Sequence, residues 1–92
     1  MNAKEIDSDP LDKVLERDLM KEYGPMVTGD SLRKVLGYPS MEALRQAISR
    51  GKAPVPIFKL PNRRGKFALV KDIAHWLAKH RNQVAGDDLP NK

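Results

Sequence analysis

The chain has 92 residues, 17 of them Lys or Arg against 12 Asp or Glu, for a formal net charge of +5, and it contains no cysteine. That length holds one small domain, and the missing thiols exclude disulfides, thiolate zinc sites and cysteine nucleophiles together. No apolar run approaches the roughly 20 residues of a membrane span, and Met1-Asn2-Ala3-Lys4-Glu5 lacks the apolar stretch of a signal peptide, so a soluble, cytoplasmic protein with no membrane partner is expected.

Ser8-Asp9-Pro10 opens the first periodic segment. Asp9 can cap free amides there, and Pro10 suits a helix start because its missing donor costs nothing in the first turn. Leu11, Val14, Leu15, Leu19 and Tyr23 recur at helical spacing, which predicts an amphipathic helix over 10–22 ended by Gly24-Pro25. A helix of this length is marginal alone, so its stripe needs cover, either from the rest of the chain or from residues 10–23 of a second copy in a homodimer.

Thr28 is a candidate cap for a short helix carrying Leu32, Val35 and Leu36, and Gly37 suits the left-handed conformation that ends one. Tyr38-Pro39 forces a turn, and Ser40 can cap the next helix, with Glu42 placed against its positive end. On that second helix Met41, Leu44, Ala47 and Ile48 face inward. Glu42, Arg45, Gln46 and Ser49 fall on the far side, flanked by Arg50, and Gly51 closes the helix.

The two prolines of Ala53-Pro54-Val55-Pro56 favour extended edge backbone. Ile57-Phe58-Lys59-Leu60 and Lys66-Phe67-Ala68-Leu69-Val70 then flank the turn-rich Pro61-Asn62-Arg63-Arg64-Gly65, which predicts a β-hairpin with a basic tip. Ile73, Trp76, Leu77 and His80 predict a last helix over 71–81 that offers the single tryptophan to the core. Residues 82–92 read as a frayed tail. The expected fold is mainly α with a small β-hairpin, divided into an acidic segment 1–23, a central domain 24–81 and the tail.

Charge follows the same division. Residues 24–81 hold twelve basic side chains against Asp30, Glu42 and Asp72, a balance of +9, while residues 1–23 carry −3 and residues 82–92 carry −1. No acidic residue lies between Lys52 and Lys71. Such a segment attracts polyanions, because each neutralised phosphate releases condensed counterions; a merely solvated basic face is the plainer account.

Helix, turn, helix, basic hairpin, helix is the order of a winged helix-turn-helix. Thr28 through Arg81 resembles the AlpA and excisionase-like group of small DNA-binding regulators, relatives of the MerR winged-helix superfamily. The resemblance is carried by Gly37 at the turn, by Leu44-Arg45-Gln46-Ala47-Ile48, by Gly51-Lys52-Ala53-Pro54-Val55-Pro56, by the hairpin ending in Phe67, and by Asp72-Ile73-Ala74-His75-Trp76-Leu77. It implies a nucleoid-associated binder of double-stranded DNA, acting in transcriptional control or in excision and integration of mobile elements. The chain departs from the group in a longer first turn with Pro39, in a last helix opening on Val70-Lys71-Asp72 without a capping hydroxyl, and in the added N-terminal helix.

In such a module the second helix enters the major groove. Arg45 can then pair with guanine O6 and N7, Gln46 with adenine N6 and N7, and Ser49 is an adaptable third reader. Arg63 and Arg64, with Lys59 and Lys66 below them, suit phosphates or a narrow minor groove. Arg33, Lys34, Arg50 and Lys52 are candidate backbone contacts, which set position without reading sequence. Single-stranded RNA is a weaker expectation, since aromatics are few and Phe67 and Trp76 serve better in the core. An adaptor acting through residues 1–23, or a non-specific nucleic-acid binder, are the alternatives. No enzyme, cofactor, metal or small-molecule substrate is expected: His75 and His80 lie roughly 140° apart around a helix, and no triad or P-loop pattern occurs.

Overall fold

Four helices and two short strands follow one another along residues 10–87, the part of the chain that the computed structural model describes. Their order is α1 (Leu11–Tyr23), β1 (Met26–Thr28), α2 (Gly29–Leu36), α3 (Met41–Ser49), β2 (Phe67–Leu69) and α4 (Val70–Asp87). The core is a cluster of Val27, Leu32, Leu36, Leu44, Val55, Ala68, Val70 and Ile73. Every element except α1 contributes a fully buried side chain to it.

Helix α1 begins after an extended Pro10 and ends at Gly24, whose N–H donates to the Met20 carbonyl at 2.8 Å. The expected Asp9 cap lies outside the described residues. The stripe of α1 is partly covered within the chain: Leu11, Val14, Leu15, Leu19 and Tyr23 are half-buried and none is fully buried, where the helix lies along α4 with its buried Ala74 and Ala78. Leu19 and Tyr23 reach the core margin from it. Near the opposite end, Asp12 Oδ2 stands 3.5 Å from His75 Nδ1.

Strand β1 pairs antiparallel with β2, Met26 opposite Leu69, Val27 opposite Ala68 and Thr28 opposite Phe67. The side-chain alternation of strands puts Val27 and Ala68 together on the core face. This strand corrects the expectation for the region, which gave Thr28 only a capping role. The hydroxyl of Thr28 makes no helix cap; it donates instead to the Lys66 carbonyl at 2.6 Å.

The hairpin expected over 57–70 is correspondingly smaller. Residues 57–60 form no continuous strand, and one bridge joins Phe58 to Phe67, with the N–H of each donating to the other's carbonyl at 2.9 and 2.8 Å. Pro56 and Pro61 leave only four residues between them that can both donate and accept, which limits the ladder. The Phe58 and Phe67 rings stack over this bridge with centroids 6.2 Å apart.

The last helix is longer than the expected 71–81. It continues through Asp87, so residues 82–87 are helical rather than a tail, and residues 88–92 lie outside the described part. Asn82, Gln83, Val84 and Ala85 contain no glycine or proline to stop it. Its buried face is also built differently: Ile73 is joined by Val70, Ala74 and Ala78, while Trp76 is half-buried and His80 exposed. His80 thus lies neither on the buried stripe nor at the helix end, and it meets the Trp76 ring edge-on at 6.0 Å. No described helix is long and apolar enough to cross a membrane.

Candidate nucleic-acid interface

The turn between α2 and α3 is fixed by local chemistry. Gly37 sits at φ 86°, ψ 18°, a left-handed conformation that costs other residues energy. Its N–H donates to the Lys34 carbonyl at 3.1 Å, and that of Tyr38 donates to the Arg33 carbonyl at 3.1 Å, the paired bonds of a Schellman ending. Arg33 reinforces the same turn, with Nη1 donating to the Tyr38 carbonyl at 3.0 Å and Nε to Asp30 Oδ1 at 2.7 Å. The chain then restarts helically where Ser40 accepts from the Ala43 N–H at 3.1 Å, the side-chain cap expected from its position.

Helix α3 ends as α2 does. The Gly51 N–H donates to the Ile48 carbonyl at 3.0 Å, and the Lys52 N–H to the Ala47 carbonyl at 2.8 Å. Between its two ends α3 is strongly two-sided: Leu44 is 2% exposed, whereas Glu42, Arg45, Gln46, Ser49 and Arg50 are exposed. Arg45 Nη1 stands 3.5 Å from Glu42 Oε1, a solvent-facing contact one turn along the helix that contributes little stability.

The segment between Leu60 and Phe67 loops out beside α3. Asn62 takes a left-handed φ of 61° at its tip, a conformation asparagine tolerates, and the Arg63 N–H donates to the Leu60 carbonyl at 3.3 Å. Residues 61–66 are all exposed. The base of this loop rests on the start of α2 through the Thr28–Lys66 bond. Gly65, at φ +92°, comes so close that a Cβ there would lie 3.3 Å from Thr28 Oγ1.

One groove of about 430 Å³ results, walled by Arg45 and Ser49 of α3 on one side and by Gly65 and Lys66 of the loop on the other. Three of the sequence-predicted residues therefore meet at one concavity. Gln46 is exposed about 100° further around α3 and does not line it. Arg50 and Lys52 follow the end of α3, while Lys59, Arg63 and Arg64 lie along the loop, all exposed. None of these five has a carboxylate within 4.0 Å among the described residues, nor has Lys66.

Arg33 and Lys34 are placed otherwise. Both contact Asp30, Lys34 at 3.6 Å, and the Arg33 side chain is only 20% exposed. The hydrogen bond from Arg33 holds the Asp30 carboxyl below its usual range, and Asp30 in turn raises Arg33. Two donors of Arg33 are thus engaged within α2 and its turn. The contact of Thr28 with Lys66 and Gly65, which sets the loop against α2, escaped the sequence reading: Thr28 reads as a cap and Gly65 as part of the turn, and nothing local marks the two as partners.

No family model, curated protein or solved structure matches the chain.

Proposed function

We propose that the protein is a sequence-specific binder of double-stranded DNA, a small winged helix-turn-helix regulator or excisionase-like factor. Helix α3 is the reading helix, and the segment from Ile57 through the loop into strand β2 is the wing. The observation that carries this reading is the shared groove: Arg45 and Ser49 on the exposed side of α3 face Gly65 and Lys66 at the base of the wing. A duplex approaching that concavity meets hydrogen-bonding side chains and an uncompensated cation together, which joins base readout to phosphate attraction. Arg63, Arg64 and Lys59 extend the cationic surface along the wing, and Arg50 and Lys52 extend it past the end of α3.

Within this arrangement Arg45 and Gln46 read base edges and Ser49 adapts to either kind of base, while the wing and Lys52 hold the backbone. A nine-residue helix spans about 13 Å and reads few base pairs, so pairing of two copies on a repeated site would multiply discrimination. The test is selection of bound fragments from a random duplex pool at stated salt, followed by anisotropy titration of the recovered sequence and a scrambled one. Enrichment of a defined motif, with preference over the scrambled duplex at equal salt, is the expected result. Equal affinity for every duplex would leave a non-specific binder, and no affinity would remove the DNA reading.

A further inference from the structure

The groove between α3 and the wing is chemically richer than a phosphate contact requires. Its floor is apolar, formed by Leu32, Met41, Leu44 and Ile48. Of these, Met41 and Ile48 are only half-buried, so they offer surface to a ligand. The rim carries Lys66, Arg45 and the Ser49 hydroxyl, and no carboxylate of the described residues lines it. Lys66 has no ion-pair partner among the described residues, whereas Arg45 shares its charge with Glu42, so the anionic pole of any occupant belongs beside Lys66.

We propose that this groove is a binding site for a small amphipathic anion, an aromatic or aliphatic body bearing one carboxylate or sulfonate. Resting on the DNA reading above, we infer further that such a ligand and DNA exclude each other. The size fits the class. At about 430 Å³ the groove falls in the range of small-molecule sites. The composition agrees with it, since ligand sites pair a mostly apolar lining with a few placed polar groups. Exclusion follows from shared residues: a molecule seated between Arg45, Ser49 and Lys66 occupies the positions from which α3 and the wing meet a duplex.

The probe is 8-anilinonaphthalene-1-sulfonate, an aromatic body with one fixed negative charge, titrated into the full chain and followed by fluorescence and by methyl chemical shifts. The expected result is saturation at one site, with shifts at Met41 and Ile48. Lys66→Ala should weaken binding about tenfold, the worth of one charge-assisted hydrogen bond, and it leaves the Lys66 carbonyl free to hold Thr28. Lys79→Ala, which removes an exposed cation on α4 that does not line the groove, should leave probe affinity unchanged. Shifts centred instead on Met20, Leu69 and Val84, the exposed large apolar side chains among the described residues, or a Lys66→Ala variant that binds as tightly as the parent, would overturn the site. A duplex titration kept separate distinguishes the two claims. Probe binding at the groove in a protein without duplex affinity upholds the site and removes the DNA reading; duplex affinity untouched by saturating probe overturns mutual exclusion.

Discussion

Replacing Arg63 and Arg64 together by alanine isolates the electrostatic part of the proposed interface. Both side chains are exposed at the wing tip and neither has a carboxylate partner among the described residues, so their full charge is available to phosphates. The turn beneath them is held by the Arg63 N–H and the Leu60 carbonyl, a backbone bond that alanine retains. Stability should therefore stay within about 0.5 kcal/mol of the parent. Each phosphate contact adds about 0.9 to the slope of log affinity against log salt, so losing two flattens that slope by about 1.8. A fourfold rise in salt then costs the variant roughly 12-fold less affinity than it costs the parent. Anisotropy titrations of one labelled duplex across that salt range give the slope, and the preferred and scrambled duplexes should lose affinity equally. A slope identical to the parent's would refute the assignment of these arginines to the DNA backbone.

Gln46→Ala should do the reverse: leave the salt slope as it is and relax preference at one base pair by about 1–3 kcal/mol, read from a repeated selection. Leu32→Ala, at a side chain 1% exposed in the core centre, should lower stability by about 3 kcal/mol through lost contacts and a cavity, measured by urea unfolding. Thr28→Val keeps the β-branched shape of β1 but removes the bond to the Lys66 carbonyl, which should cost about 1 kcal/mol and move the amide resonances of Gly65 and Lys66. Asp30 has a carboxyl held low by Arg33, so its favourable contribution is present above the unfolded-state value and lost as pH falls through the folded one. Its titration midpoint, followed by carboxyl chemical shift, should rise in Arg33→Ala.

The two-helix unit was legible because its punctuation is local. Gly37, Ser40 and Gly51 each act on backbone groups within four residues, and side-chain periodicity told the buried Leu44 from the exposed Arg45 and Gln46. Strand β1 was not legible, because three residues show too little alternation and their partners lie about forty positions away, Thr28 opposite Phe67. The wing erred in the other direction: apolar runs on both sides of a turn suggested two full strands, but prolines at 56 and 61 confine the outer one to a single bridge. The extra length of α4 was hidden because Asn82 to Ala85 carry neither a stop nor a strong apolar rhythm. The groove was hidden for a different reason. Its walls are Arg45, Ser49 and Lys66, residues from two segments whose apposition depends on β1.

That dependence makes β1 the element on which the geometry of the interface turns. Val27 fixes it in the core, its pairing with β2 sets where the wing returns, and Thr28 both ends the strand and precedes α2. A slip of one residue in the β1–β2 register would swap the faces of the strand, taking Val27 out of the core and carrying Thr28 away from the Lys66 carbonyl. The buried Val27–Ala68 pair opposes such a slip, since both residues are nearly inaccessible. Gly65 then determines how closely the wing approaches: its positive φ and the 3.3 Å separation from Thr28 Oγ1 that a Cβ would have leave little room for a larger residue. The distance between Lys66 and the exposed side of α3 is thus set by core packing and one hydroxyl, and only the reach of individual side chains is left to the surface.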